Sequence, residues 1–472
     1  MKHTDIIQKL NLEQKCALLS GETVFTTRAL PGKGIPAITL SDGPNGVRKQ
    51  AGAADHLGLN PSVPATCFPT SSATACSWDE KLGEAVGEAL GEEAAAQEVA
   101  VLLGPGLNIQ RSPLCGRDFE YFSEDPILAG RMAAAYVRGI QKNGISACPK
   151  HFAVNSQELR RMASDSVLDE RTLRELYLTG FEIVVKEAKP KTIMTSYNLI
   201  NGTYANENAH LLQDILRKDW GFDGAVVTDW GGSNDHALGV KNGSTLEMPC
   251  PGGDSIRELM KAVRDGKISE ADVDARLDEM LELVLSTHAA VEKAPRTFDA
   301  AAHHKLARRA AAESIVLLRN EGGILPLKPN EKLAVIGDFA ETPRYQGAGS
   351  SAVNALQVDT LLDSIKADDS GITLVGYASG FERQGAADAE KLEEAVALAK
   401  KADTVLLCLG LDELRESEGL DRSDMKLAEN QQQLLAAVAA VNPNVVVLLS
   451  AGAPIETPWA GPVSYTHLTL PT

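Results

Sequence analysis

The sequence lacks the features that mark several classes of protein. Aromatic residues make up only 5% of the 472 residues, and the seven cysteines are scattered without a CxxC pair. An odd number of dispersed cysteines suits a reducing compartment better than a disulfide framework, so we expect a cytoplasmic protein. No run is long and apolar enough to span a bilayer, and the polar N-terminus lacks the apolar core of a secretory signal.

Positive charge is also scarce. The chain has 46 Lys and Arg against 64 Asp and Glu, a formal net charge of -18, and the basic residues do not cluster. Such a surface repels phosphate backbones and anionic lipid, which excludes nucleic acid and membranes as expected partners. There is no HExxH motif, and neither a metal nor a cofactor is expected. A small-molecule substrate is therefore the expected partner, and a homo-oligomer remains open.

The length favours two domains, and the first half of the chain shows repeated βα alternation. Helix-like stretches separate short β-rich runs between residues 35 and 249. The runs are Ile38–Leu40, Ala100–Leu103, Ile145–Cys148, Thr192–Thr195, Ala225–Thr228 and Thr245–Met248. The simplest closure for so many units is a (β/α)8-like TIM barrel, which we assign to residues 1–295, with its chemistry at the carboxyl ends of the strands.

A second alternation follows a helix and linker assigned to residues 296–332. Its predicted strands are Leu333–Ile336, Thr373–Tyr377, Thr404–Leu409 and Val445–Leu449. Runs that are apolar throughout are typical of a doubly wound sheet covered on both faces. The predicted fold class is therefore α/β: a TIM barrel, followed by an incomplete doubly wound α/β sandwich domain over residues 333–461.

Residues 462–472 form an atypical tail that we do not expect to be native to the fold. They stand where another βα unit is predicted, so we expect an unpaired sheet edge and a poorly stable or weakly active chain.

Polar clusters follow the predicted barrel strands. They are Ser41-Asp42-Gly43-Pro44-Asn45-Gly46-Val47-Arg48, Arg117-Asp118, Lys150-His151, Ser196-Tyr197-Asn198 and Asp229-Trp230. Each alone fits an ordinary turn that caps a helix. Together, at successive strand ends, they predict one pocket whose donors and acceptors could hold a neutral polyol, with Trp230 as a flat face for a sugar ring.

In order along the chain, these motifs resemble the β-glucosidases of glycoside hydrolase family 3. The resemblance includes Gly116-Arg117-Asp118-Phe119-Glu120, Lys150-His151-Phe152-Ala153-Val154-Asn155, Val227-Thr228-Asp229-Trp230 and Glu416-Ser417-Glu418-Gly419-Leu420-Asp421-Arg422. It implies that Asp229 is the nucleophile of a retaining exo-β-glucosidase and Glu418 the general acid/base. It also places ten residues around the glucosyl unit, namely Asp42, Arg48, Arg117, Lys150, His151, Arg161, Met194, Tyr197, Trp230 and Ser350. We expect nearby cations to keep Asp229 ionised and Glu418 to hold its proton.

Other functions stay open. A related β-xylosidase or other β-glycosidase fits the same motifs, and a sugar-binding protein or inactive fragment would keep the polar shell without turnover. The family's β-N-acetylglucosaminidases carry a Pro-Gly-His-Gly run after the Lys-His-Phe motif, which is absent here. Gly347-Ala348-Gly349-Ser350-Ser351-Ala352 fits a dinucleotide fingerprint as a string, but it does not directly follow a strand.

Overall fold

The computed structural model describes residues 1–52, 60–320 and 322–460, and the backbone of residues 466–470. The first domain alternates helices and short strands. Its helices are α1 (Thr4–Ile7), α2 (Leu12–Ala17), α3 (Ser71–Ala75), α4 (Glu80–Ala96), α5 (Pro126–Gln141), α6 (Glu170–Thr172), α7 (Thr179–Ile183), α8 (His236–Asn242), α9 (Asp254–Arg264), α10 (Glu270–Lys293) and α11 (Ala300–Ser314). Its strands are β1 (Leu40–Asp42), β2 (Val101–Leu103), β3 (Ser146–Ala147), β4 (Asp165–Ser166), β5 (Thr192–Met194), β6 (Leu199–Ile200), β7 (Thr203–Tyr204) and β8 (Ala225–Val227).

Short irregular helices complete both domains. Single 3-10 turns lie at Pro31–Lys33, Asp118–Glu120, Ala205–Glu207, Asp338–Ala340 and Pro458–Ala460, and π-helical turns at Leu173–Tyr177, Val184–Ala188 and His210–Asp219. None of the described helices is both long and apolar enough to cross a membrane.

Local sequence explains two long helices of the first domain, α4 and α5. The Asp79 carboxylate accepts the Lys81 N–H and begins α4, and Asp125 caps α5, whose first residue is Pro126. These are standard helix starts, since each satisfies free N–H groups of the first turn. Gly87 of α4 then allows close packing, because a Cβ there would lie 2.4 Å from a backbone oxygen of α5.

Backbone pairing runs around a closed ring. β1, β2 and β3 are parallel neighbours, as are β5 and β8, and a parallel bridge from Phe152 to Thr195 joins the two groups. Further bridges link Val227 to Leu246 and Glu247 to Ser20, and antiparallel bridges through residues 21–27 lead back to β1. The predicted strand at 245–248 is therefore present only as single bridges, and the ring is an irregular version of the predicted barrel.

The second domain is a six-stranded sheet in the order β11-β10-β12-β13-β14-β9. Its elements are β9 (Val316–Arg319), β10 (Lys332–Ile336), α12 (Leu361–Lys366), β11 (Thr373–Ala378), α13 (Ala389–Ala399), β12 (Thr404–Gly410), α14 (Glu429–Ala439), β13 (Val445–Ser450) and β14 (Thr466–Leu470). The strands β10 to β13 pair in parallel around a buried aliphatic core, which confirms the predicted doubly wound sheet.

One expectation about this sheet is wrong. We expected β13 to be left as an unpaired edge, but β14 pairs with it in parallel, and β9 lies antiparallel on the far side of β14. An edge of free N–H and C=O groups readily accepts an extended neighbour, which accounts for the pairing. The rest of the predicted tail, residues 462–465 and 471–472, lies outside the described residues.

Candidate active site

A cavity of about 440 Å³ opens where the carboxyl ends of the barrel strands meet loops of the second domain. Every predicted site residue except Arg48 lines it, so the barrel and the second domain together build one site. The lining consists of Phe25, Asp42, Arg117, Lys150, His151, Arg161, Met162, Met194, Tyr197, Asp229, Trp230, Gly231, Pro249, Ser350 and Glu418.

Asp229 lies two positions after the end of β8 and is nearly buried, with its side chain 11% exposed. Its Oδ1 accepts the Trp230 N–H at 2.7 Å, which fixes the carboxylate plane. Its Oδ2 is buried and accepts no hydrogen bond from any described residue. A buried carboxylate oxygen without a donor is costly, and such groups concentrate at functional sites. Burial raises the pKa of Asp229, against the lowering effect of Arg161 and Arg117.

His151 stands beside this free oxygen as a neutral ring. Its Nε2 lies 3.6 Å from Asp229 Oδ2, and its Nδ1 lies 3.1 Å from the Tyr121 hydroxyl. Burial lowers the pKa of His151 well below its ordinary value, and Arg117 and Lys150 lower it further. The imidazole can therefore offer a hydrogen bond near Asp229 without adding a charge.

A buried ion network forms the floor of the site. Glu120 contacts Arg117 Nη2 at 2.6 Å through one oxygen and Lys150 Nζ at 2.9 Å through the other. All three side chains are almost fully buried. Removing any one member would leave an uncompensated buried charge, so the network holds the two cations in fixed positions.

Asp42 ends β1 at the edge of this network. Burial raises its pKa to about 6, although Lys150 and Arg48 favour the ionised form. Arg48 lies outside the lining, contrary to its predicted place around the sugar. Its Nη1 lies 3.9 Å from Asp42 Oδ2 and donates to the Ser350 carbonyl at 3.3 Å, so it sits between barrel and second domain.

Three aromatic rings, those of Phe25, Tyr197 and Trp230, line the cavity. Trp230 donates its Nε1–H to the Val24 carbonyl at 2.7 Å and packs against Phe25, with ring centroids 5.3 Å apart. The Tyr197 hydroxyl donates to the Trp230 carbonyl at 2.9 Å, and the Arg161 guanidinium lies 4.7 Å above the Tyr197 ring. Flat, rigid faces beside polar groups are what a pyranose ring packs against.

Glu418 reaches the cavity from the loop after β12. Its Oε1 lies 2.8 Å from Arg161 Nη1 and 3.6 Å from Arg117 Nη1, and its Oε2 accepts the Ser350 N–H at 2.8 Å. Burial would raise the pKa of Glu418, but Arg117, Arg161 and Ser350 outweigh it and hold the pKa well below the ordinary value.

These pKa shifts run opposite to the ones expected from the sequence. Arg161 contacts Glu418 and Glu158 rather than Asp229, so the cations act most strongly on the group that we expected to be protonated. In this site Glu418 is the more acidic carboxyl and Asp229 the less acidic one.

Three contributors were missed by the sequence analysis. Glu120 lies inside the motif 116–120, but the resemblance gives it no role, and Phe25 lies before the first predicted strand. Glu158, 2% exposed, accepts from Arg161 Nη1 and from the Gly419 N–H, both at 2.8 Å. An acidic residue three positions before an arginine was its only signal, and that pattern usually marks a solvated salt bridge.

Family models match both domains of the chain. The model for the glycosyl hydrolase family 3 N terminal domain matches residues 48–283, and the model for the glycosyl hydrolase family 3 C-terminal domain matches residues 315–466. The chain belongs to glycoside hydrolase family 3.

Two curated relatives show how broad that family is. The chain is 46% identical to thermostable beta-glucosidase B of Acetivibrio thermocellus, over 96% of this chain and 60% of that protein. It is 45% identical to an exo-alpha-(1->6)-L-arabinopyranosidase of Bifidobacterium longum, over 96% of this chain and 61% of that protein. The chain thus spans about 60% of the length of the relatives it matches.

Solved structures agree with the fold. A Bifidobacterium adolescentis family 3 beta-glucosidase superposes with a TM-score of 0.91 and 42% identity, covering 98% of this chain and 66% of that one. Beta-glucosidase 3B from Thermotoga neapolitana in complex with glucose superposes with a TM-score of 0.89 and 33% identity, covering 99% of this chain and 71% of that one.

Proposed function

We propose that the protein is a retaining, exo-acting β-glucosidase that removes terminal β-D-glucosyl residues from β-glucosides or short oligosaccharides. The observation that carries the proposal is the buried Asp229 Oδ2, which has no donor among the described residues and shares one cavity with Glu418. A double displacement needs one carboxylate free to attack the anomeric carbon and a second carboxyl beside it.

In this mechanism Asp229 attacks the anomeric carbon, and the C–O bond to the leaving group breaks as Glu418 gives that oxygen a proton. Water then hydrolyses the glucosyl ester while Glu418 takes the proton back. Because two arginines stabilise the ionised form of Glu418, bound substrate has to weaken the Arg161–Glu418 pair before the acid step. Asp42, Lys150 and Arg117 are proposed to bind sugar hydroxyls.

The second candidate is an arabinopyranosidase, favoured by the 45% identity to the Bifidobacterium longum enzyme. An α-L-arabinopyranoside lacks the hydroxymethyl group of a β-D-glucoside and has the opposite configuration at C4. Discrimination by the hydroxymethyl group alone is worth only about 1 to 3 kcal/mol, so contacts to the C4 hydroxyl would decide between the two activities.

A panel of p-nitrophenyl glycosides tests these proposals, with the β-D-glucoside, β-D-xyloside, β-D-galactoside and α-L-arabinopyranoside compared by kcat/KM. We expect the β-glucoside to be hydrolysed fastest, and NMR of the first-formed sugar to show the β anomer. An α anomer formed first would contradict retention. Binding of glucose without turnover of any glycoside would favour a sugar-binding protein.

We also propose that the protein works in a reducing compartment such as the cytoplasm. All seven cysteines are free thiols, and burial raises the pKa of Cys16, Cys148 and Cys408 to about 12, which makes those thiols poor nucleophiles. Fractionation of the host cells tests the location directly, and recovery of the protein outside the cytoplasm would contradict it.

A further inference from the structure

One carboxylate of the second domain is held by backbone N–H groups of the barrel. Asp421 Oδ1 accepts from Gly116 N at 3.1 Å and from Glu158 N at 3.0 Å, and Oδ2 accepts from Glu158 N at 3.0 Å and Leu159 N at 2.8 Å. An ionised acceptor makes such bonds stronger than neutral pairs do. Asp421 therefore joins two barrel loops to the loop that carries Glu418.

Glu158 of the barrel in turn binds the loop that carries Glu418. While its N–H donates to Asp421, its own carboxylate accepts the Gly419 N–H at 2.8 Å and Arg161 Nη1 at 2.8 Å. The same Arg161 nitrogen lies 2.8 Å from Glu418 Oε1. Asp421 and Glu158 thus form a reciprocal clasp, with Glu418 held between Gly419 and Arg161.

The backbones of the two domains are closely packed at this point. A Cβ on Gly116 would lie 1.7 Å from the Leu420 carbonyl oxygen, so only glycine permits this approach. On the other side of the clasp, the Arg422 N–H donates to the Leu114 carbonyl at 2.8 Å. Contacts of this kind determine the position of a side chain more tightly than a loop's own conformation can.

We propose that Asp421 is a positioning residue that, together with Glu158, fixes the Glu418 carboxyl against the site in the barrel. Asp421 lies outside the residues that line the cavity, and it acts through the loop 417–422. The inference rests on the proposed β-glucosidase function, in which Glu418 protonates the leaving oxygen.

Leaving-group dependence tests the proposal, because a good leaving group departs without a proton whereas a poor one needs Glu418. In Asp421→Ala we expect kcat/KM for phenyl β-D-glucoside to fall roughly tenfold or more relative to kcat/KM for 2,4-dinitrophenyl β-D-glucoside. Asp421→Asn keeps one oxygen acceptor and the side-chain shape, so it should fold and show the same selective loss at smaller size.

Asp424→Ala is the matched control. Asp424 lies on the same segment, contacts Arg415, Ser423 and Lys426, and makes none of the barrel contacts described for Asp421. It should leave the ratio of the two rates unchanged. Equal losses on both glucosides in Asp421→Asn, or an unchanged ratio, would overturn the inference while leaving the proposed function intact. A wild-type protein inactive on both glucosides would overturn the proposed function, and this inference with it.

Discussion

The Asp42→Asn substitution measures the free-energy cost of burying the ionised Asp42 carboxylate. Burial raises the pKa of Asp42 from 3.8 to about 6, so the folded protein binds this proton more tightly than the unfolded chain does. Stability from this group is complete below pH 3.8 and is lost as the pH rises through about 6. A difference of about 2 pKa units corresponds to about 3 kcal/mol at neutral pH.

Asparagine has the same shape as aspartate but does not ionise, so the Asp42→Asn variant should not lose stability as the pH rises. Relative to the wild type, we expect Asp42→Asn to gain about 3 kcal/mol of unfolding free energy between pH 4 and pH 7, or several degrees in Tm. Thermal and urea unfolding of both proteins across that range would measure it. Parallel stability curves for the two proteins would refute the assigned burial cost.

The same substitution separates stability from binding. We propose that ionised Asp42 makes charge-assisted hydrogen bonds to sugar hydroxyls, and on that proposal the wild-type KM for a β-glucoside should rise as the pH falls below about 6. In Asp42→Asn the KM should be higher by about tenfold and should not change over that interval. A wild-type KM that stays constant through this range would contradict a role for Asp42 in binding.

Three further substitutions address the reacting groups. Asp229→Asn should lower kcat by on the order of 10⁴-fold, while the affinity for glucose measured by calorimetry is retained. The Tm of this variant should not fall, because ionised Asp229 destabilises the fold above its raised pKa. Unchanged turnover would refute the assignment of Asp229 as the nucleophile. Glu418→Gln should lower kcat/KM for hydrolysis of phenyl β-D-glucoside by on the order of 10² to 10⁴-fold, and kcat/KM for the 2,4-dinitrophenyl glucoside far less. Equal losses on the two substrates would argue against an acid role for Glu418. Arg161→Leu removes a cation that lowers the pKa of Glu418, so the alkaline limb of the pH profile of kcat/KM for the phenyl glucoside should move to higher pH. An alkaline limb that stays in place would show that Arg161 does not control the pKa of Glu418.

Much of the fold follows from short-range patterns in the sequence. The four apolar runs predicted for the second domain are four of its parallel strands, β10 to β13, and α4 (Glu80–Ala96) is one of the helix-like stretches expected between barrel strands. These agreements arise because periodicity, caps and apolar runs act over a few residues, where propensity and burial favour the same structure. The position of Asp229 was predictable in the same way, since a polar residue just after a buried barrel strand lies at the mouth of the ring.

Tertiary structure decided what depends on distant neighbours. Arg161 and Glu418 are 257 positions apart, and the pKa of Glu418 is lowered only because the fold brings Arg117 and Arg161 to its carboxylate. The Asp421 and Glu158 clasp joins two domains in the same way, and the pairing of β13 with β14 came from an edge that accepted an extended neighbour. The sequence by itself predicted most of the residues that line the cavity, because polar clusters after strands are a short-range pattern. Their ionisation, and the precision with which Glu418 is held, come from through-space charge, burial and backbone contacts, which exist only once the chain has folded.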